Sequence, residues 1–370
     1  MSVPVIPSDL LPRDGRFGCG PSKVRPEAVA ALAQAAPHLL GTSHRQPAVK
    51  TLVARLQDGL ASLFDLPADY DVLLTNGGAT AFWDAATYHL IEARSHHEVF
   101  GEFSGKFAAA AASAPWLAEP TRNEIAPGGR PIHTSDVGDA DLVALTHNET
   151  STGVMSTIER PAGNAIVAVD ATSGAGGLPV DPLAFDAYYF SLQKGFASEG
   201  GLVACLLSPA GAARIEALAA SDRHVPAFLD LGTALANSRQ NQTYNTPALS
   251  TVFLAVHQVE WMLSLGGLAA VVERQQDKAD ALYGWADARS FAAPFVTDKD
   301  ARSLVVGTID LDGVDATAVT TALRANGVID TEPYRKLGRN QLRVGMFPAV
   351  DLDDVKAYTA CVDWLVEHLA

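Results

Sequence analysis

From about residue 50 to residue 210, short unbroken apolar runs alternate with longer segments whose apolar positions recur at helical spacing. The short runs cover 71–75, 98–100, 141–146, 165–170, 187–192 and 202–207, and their Val, Ile, Leu and Tyr content predicts strands. Between the first two, residues 80–94 carry apolar side chains at helix spacing. Strands that are apolar on both faces, with helices between them, predict a mostly parallel sheet covered on both sides. Ligands of such sheets sit outside the carboxyl ends of the strands, so candidate chemistry is sought there first.

Beyond Pro247 the pattern changes. A long helical stretch runs to about Asp287 and is interrupted at Gly266-Gly267. Residues 303–310 and 341–346 read as strands. Residues 315–326 read as a helix with Asp315 as its cap and Gly327 just past its end, and 352–368 as a final amphipathic helix. This predicts an α/β protein with a large domain over 15–262, a small α+β domain over 263–370, and an N-terminal segment 1–14. The glycine pair is the expected hinge, and the cleft between the domains the expected ligand site.

Composition narrows the function. The 370 residues carry a formal net charge of −15, which argues against a surface built to neutralise nucleic-acid or membrane phosphates. An anionic ligand must then be met by a few focused cations. The uncharged apolar stretches, such as Ala108–Ala112, are far too short to span a bilayer. The start of the chain has Pro4, Pro7 and Pro12 among Asp9 and Asp14, which is unlike a signal peptide. Cys19, Cys205 and Cys361 show no metal spacing and leave one thiol over in any disulfide scheme, so a reduced, cytoplasmic setting and no bound metal are expected.

Lysine is scarce, and Lys194 stands apart because it follows the apolar run 187–192 and precedes Gly195. At the carboxyl end of a buried strand, desolvation would lower its pKa toward that of a usable nucleophile; a solvated lysine on a turn is the alternative. Asp170 ends the preceding apolar run and can be either a turn residue or an anion that holds a protonated ring nitrogen. Together the two form the pair a pyridoxal phosphate enzyme requires. Asn76-Gly77-Gly78-Ala79-Thr80 joins a strand to a helix, where backbone N–H groups can take an anion. It lacks the P-loop lysine, and no dinucleotide fingerprint is present.

These elements fall in a specific order. Gly18-Cys19-Gly20-Pro21 is followed by Ser43-His44-Arg45, the glycine turn, His147-Asn148-Glu149-Thr150, Asp170-Ala171-Thr172-Ser173, Gln193-Lys194 and Tyr244-Asn245-Thr246-Pro247. Over essentially its whole length the chain resembles the phosphoserine aminotransferases, in the class V branch of the fold type I pyridoxal phosphate-dependent enzymes. The resemblance implies a large domain with a mostly parallel seven-stranded sheet and a small C-terminal α+β domain. It implies Lys194 as the lysine that joins the cofactor aldehyde and Asp170 as the partner of its pyridinium. Ala79, Thr80 and Gln193 would cradle the cofactor phosphate, Thr150 would bond the side of the ring hydroxyl, and Phe103 would lie against the ring. Asn245 and Thr246 would reach the cofactor phosphate of a neighbouring subunit in a homodimer. His44 and Arg45 would bind a substrate anion, and Arg343 a carboxylate.

The implied reaction is reversible transamination of 3-phosphooxypyruvate with L-glutamate, giving O-phospho-L-serine and 2-oxoglutarate in serine biosynthesis. Action on 4-phosphohydroxy-L-threonine in pyridoxine biosynthesis is a further implication. The chain departs from the family pattern at three places. Thr80 stands where many members carry arginine, Phe103-Ser104 where many carry a ring-stacking tryptophan, and 334–339 lacks the common His-Arg pair; Arg335, Lys336 and Arg339 are the compensating candidates. Serine–glyoxylate or alanine–glyoxylate aminotransferases, a cysteine desulfurase, or a non-enzymatic ligand-binding protein on the same scaffold are the alternatives. None of the three cysteines fits the mobile loop a desulfurase needs.

Overall fold

A computed structural model describes residues 4–132 and 137–369; the first three residues of the N-terminal segment lie outside the described residues. Two helices come first, α1 (Pro26–Leu39) and α2 (Pro47–Leu63). Each opens on a proline, whose missing N–H falls where a helix has no acceptor for one. The alternation then begins with β1 (Asp71–Asn76), α3 (Ala79–His89), β2 (Ser95–Val99), α4 (Glu102–Ser113), β3 (Thr121–Glu124) and β4 (Leu142–Thr146). A short hairpin follows, β5 (Asn148–Glu149) with β6 (Val154–Met155), then β7 (Ile166–Asp170), β8 (Ala187–Ser191) and β9 (Leu202–Leu207). The large part closes with α5 (Pro209–Ala219), α6 (Leu231–Ser238) and α7 (Leu249–Ser264).

Among the described residues the main sheet has seven strands in the order β1-β9-β8-β7-β4-β2-β3. Neighbours from β8 to β3 pair in parallel, whereas β9 runs against both β1 and β8. Six strands therefore point one way and only β9 is reversed. The carboxyl ends of β1, β4, β7 and β8 open on one edge. Alternate residues serve opposite faces: Val143, Leu145, Val167, Val169 and Tyr188 pack toward α2 and α7, and Leu142, Ala144, Ala168 and Tyr189 toward α3–α6. Both faces are dry, which is why these strands read as continuous apolar runs.

The C-terminal part holds α8 (Gly267–Asp287), β10 (Ala292–Pro294), β11 (Val306–Leu311), α9 (Ala316–Ala325), β12 (Gln341–Gly345) and α10 (Leu352–His368). Its three strands form an antiparallel sheet. Gly266 and Gly267 adopt φ of 112° and 81°, a region open to glycine at little cost, and the chain turns by 87° between α7 and α8 there. Ile6, Phe17 and Cys19 pack into the core of this part, and the Gly345 N–H donates to the Phe17 carbonyl at 2.8 Å.

Three expectations shift. The helix read over 80–94 ends at His89, because 95–99 are drawn into the sheet as β2, earlier than the expected 98–100. The strand read over 303–310 begins at Val306, because the Ser303 hydroxyl accepts the N–H groups of Val305 and Val306 in a turn. No single helix among the described residues is long and apolar enough to cross a membrane.

Candidate active site

A cavity of about 370 Å³ opens at the carboxyl edge of the sheet. Asp170 ends β7, Ser191 ends β8, and Gln193 and Lys194 follow in the turn beyond it. The N-terminus of α3 supplies a second wall and Arg343 on β12 a third.

Lys194 reaches the cavity because glycines leave room for it. A Cβ on Gly20 would lie 2.5 Å from the Lys194 Cε, and one on Gly195 would lie 2.1 Å from the carbonyl oxygen of Ala175. The lysine is 8% exposed. Burial pulls its pKa down to about 8, against the opposing pull of Asp170. Its Nζ donates to the Thr150 hydroxyl at 3.0 Å, Thr150 donates to Ser173 at 2.8 Å, and Ser173 donates to the Asn148 carbonyl at 2.8 Å. That directed chain keeps a Thr150 lone pair facing the lysine.

Asp170 is buried across from Lys194. Burial raises its pKa, while hydrogen bonds from Thr172, the Lys194 charge and a hydrogen bond from Trp83 draw it down. One oxygen, Oδ1, accepts the Thr172 N–H at 2.9 Å, and Oδ2 accepts the Trp83 indole N–H at 3.0 Å.

At the other end, α3 begins at Ala79 after Gly78, whose lack of a side chain leaves the helix without a cap of its own. The Ala79 N–H donates to the Ser191 hydroxyl at 3.1 Å, and Thr80 is exposed at the mouth. A helix start of this kind favours an anion. Phe103 sits on α4, whose first turn is fixed by the buried Glu149 carboxylate: it accepts from the N–H groups of Phe103 and Ser104 at 3.1 and 3.0 Å and from the Ser151 hydroxyl at 2.7 Å. The Phe103 ring centre lies 5.4 Å from the Lys194 Nζ and 6.1 Å from the Tyr334 ring.

The cavity fits pyridoxal phosphate on the structure's own terms. Three buried polar atoms of residues lining it lack a protein partner: Gln193 Oε1, Asn148 Oδ1 and Arg343 Nε. Buried polar atoms are normally paired, so this set calls for a polar guest. A helix N-terminus, a nucleophilic lysine and a carboxylate lie in one cavity with them, which matches an anionic tail, an aldehyde and a protonated ring nitrogen.

The structure brings together Ala79, Thr80, Phe103, Thr150, Asp170, Gln193, Lys194 and Arg343. It holds His44, Arg45, Asn245 and Thr246 elsewhere. The Thr246 hydroxyl meets His44 Nδ1 at 3.1 Å, Arg45 donates to the Gln242 carboxamide, and the Thr243 hydroxyl donates to the Asn245 carbonyl at 2.6 Å. His44 and Thr246 line a separate open cavity of about 580 Å³. Asn76 ties that group to the glycine turn by donating to the Thr246 carbonyl at 3.0 Å. Of the three other cations, Lys336 pairs with Glu102, Arg339 pairs with Asp310 and covers the Phe295 ring, and Arg335 is exposed. Sequence reading missed Trp83 and, although their motifs were noted, gave no site role to Thr172, Ser173, Tyr334 or Cys19, which lines this cavity although it lies near the start of the chain. Burial pushes the Cys19 thiol pKa up, away from the thiolate a desulfurase uses. The spacing of Trp83 four residues after Ala79, on one face of a helix that leaves a glycine turn, is the signal that could have found it.

Residues 134–331 match the family model described as aminotransferase class-V. A Nocardioides relative named phosphoserine aminotransferase is 58% identical over 369 residues, covering 98% of each chain. Among solved structures, a phosphoserine aminotransferase from Cytophaga hutchinsonii superposes with a TM-score of 0.88 at 24% identity, covering 95% of this chain and 99% of that one. A phosphoserine aminotransferase from Trichomonas vaginalis, solved with pyridoxal phosphate bound, gives a TM-score of 0.80 at 19% identity, covering 95% of this chain and 100% of that one.

Proposed function

The chain belongs to the phosphoserine aminotransferases of aminotransferase class V, and from that premise we propose that it exchanges an amino group between L-glutamate and 3-phosphooxypyruvate, giving 2-oxoglutarate and O-phospho-L-serine in serine biosynthesis. The observation that carries the chemistry is the buried Lys194, with its pKa drawn down to about 8, facing Asp170 across one cavity. Pyridoxal phosphate, when bound, supplies an aldehyde for the amino group and a ring that accepts the electrons left on the substrate α-carbon.

The residues of the chain do the rest. Lys194 Nζ, about half unprotonated near pH 8, would be the base that takes the proton from the substrate α-carbon and the acid that completes its 1,3 shift. A proton put back on the α-carbon would leave the amino group untransferred. Asp170 keeps a ring nitrogen protonated. The start of α3 at Ala79 and Thr80, with Gln193, holds the cofactor phosphate, Thr150 bonds the ring-hydroxyl side and Phe103 covers the ring. Arg343, whose Nε has no protein partner, holds the substrate carboxylate.

The substrate phosphate needs a cation and hydrogen-bond donors, and Arg45 supplies the charge from outside the cavity of its own chain. Beside it stands His44 as a neutral imidazole, its pKa pushed down by burial and the Arg45 charge. His44 bonds Thr246 on the surface, and Arg45 bonds Gln242, three residues before Asn245 in the same segment. His44, Arg45, Asn245 and Thr246 act at the site of the neighbouring subunit in a homodimer. Arg335 and Lys336, beside the cavity-lining Tyr334, are further phosphate contacts. The working division is a cofactor-binding part over 15–262 and a small part over 263–370, with residues 4–19 packed on the small part. A phosphate-bearing pocket also suits 4-phosphohydroxy-L-threonine of pyridoxine biosynthesis, and a reduced cytoplasm suits the three free thiols.

The test is the visible absorption of the cofactor-loaded protein before and after O-phospho-L-serine, with L-serine and L-alanine as controls. A response to phosphoserine alone is expected. A response to serine or alanine instead would move the assignment to a glyoxylate aminotransferase, and no lysine-linked band at all would remove the catalytic assignment.

A further inference from the structure

We propose that Trp83 is a positioning residue for Asp170: its indole N–H, with the Thr172 amide, locks the carboxylate so that its remaining lone pairs face a protonated ring nitrogen. The inference rests on the cofactor reading above and assigns a residue that the family pattern of this chain did not single out.

The geometry is specific. Asp170 and Trp83 lie 87 residues apart, and the indole Nε1 meets Oδ2 at 3.0 Å while the Thr172 N–H meets Oδ1 at 2.9 Å. Each oxygen is thus engaged once, and a carboxylate has about four lone-pair positions. Trp83 is only 3% exposed. An indole N–H is a donor and nothing else, so when buried it needs an acceptor.

Its surroundings are apolar on the side away from the cavity. Trp83 belongs to the apolar cluster that fills the face of the sheet under α3, and neighbouring Phe82 stacks on Tyr189 with ring centres 4.2 Å apart. Tyr189 stands beside Asp170 in the register of β7 and β8. A carboxylate in such a setting tends to take up a proton, and a neutral acid would not hold a protonated ring nitrogen. A donor that does not titrate resists this without itself carrying a charge.

The helix serves both ends of the cofactor. Ala79 and Trp83 lie four residues apart on one face of α3, and both line the cavity. The amides at the start of the helix meet the anionic end, and the indole, one turn on, fixes the group that meets the ring nitrogen. A shift of α3 would therefore disturb both contacts together.

The test compares two ligands on the full-length chain freed of cofactor: pyridoxal 5′-phosphate, and its analogue with C–H in place of the ring nitrogen. In Trp83→Phe the affinity for pyridoxal phosphate should fall at least roughly tenfold, the effect of losing a hydrogen bond to a charged group. Affinity for the analogue should stay within about twofold, since it offers Asp170 no ring N–H. Equal losses for both ligands, or none for either, would overturn the role of Trp83 and leave the cofactor reading intact. A wild-type chain that binds neither ligand would overturn both. Should Trp83→Phe fail to fold, 3-benzothienylalanine at position 83 keeps the bicyclic shape, replaces the N–H by sulfur, and is read by the same two affinities.

Discussion

Lys194 shows how a single side chain acquires a property its type does not have. Burial penalises the ammonium form, so the amine is half free at about pH 8, where an ordinary lysine near 10.4 is almost wholly protonated. Reductive trapping of an aldehyde on the cofactor-free protein should therefore rise with pH through an inflection near 8. Below it the amine is protonated and inert, and above it free. An inflection near 10 would show that the site does not desolvate the lysine. Lys194→Ala should abolish multiple turnover and lysine-linked binding of the cofactor, and retained turnover would remove that residue from the chemistry. Arg343 is the complementary case, a half-buried arginine whose buried Nε has no protein partner. Arg343→Lys should raise KM for glutamate more than it lowers kcat, since a point charge cannot reproduce a planar fork; unchanged KM values would argue that another residue holds the carboxylate.

At the scale of elements, the turn after β8 is built by exclusion of side chains. Gly195 approaches the Ala175 carbonyl so closely that an added Cβ would sit 2.1 Å from its oxygen, and backbone on both sides leaves nothing flexible to yield. Gly195→Ala should cost about 1–3 kcal/mol in urea unfolding and displace Lys194, weakening cofactor binding as well. The opposite edge of the sheet gives a control. Ser208 caps α5 by accepting the Gly211 N–H at 3.1 Å and donates to the buried Asp186 at 2.7 Å. Ser208→Ala should lower stability by about 1–2 kcal/mol with kcat unchanged, because the reversed β9 carries that cap away from the cavity. A changed kcat would mean that the two edges are coupled.

For the whole molecule, the separation of Arg45 from Lys194 within one chain is the feature with the largest consequence. If each site draws Lys194 from one subunit and Arg45 from the other, a mixed dimer of Lys194→Ala and Arg45→Ala chains holds one intact site and one doubly impaired site. Activity should therefore return when the two weak variants are co-refolded. Persistent inactivity, with mixed dimers demonstrated by tagging, would place Arg45 outside the substrate pocket.

The sequence by itself determined the alternating architecture, because strands buried on both faces must be apolar throughout and so announce themselves. It also pointed to Lys194 and Asp170, since a charged residue that follows such a run in a parallel strand falls at the carboxyl edge, although a plain turn residue remained the alternative there. The helices α1 and α2 escaped this reading because α1 is a surface helix that buries only Ala28 and Leu39, and no strand signal precedes either. The ordered motifs nominated the side chains that are proposed to take part. Only the tertiary structure decided which of them meet. Trp83 and Asp170 come together because α3 packs against the sheet in one register, while His44 and Arg45 are held with Thr246 and Gln242 away from the lysine they were expected to serve. Proximity between residues distant in the chain is set by how helices pack on a sheet, and no local pattern of residues encodes it.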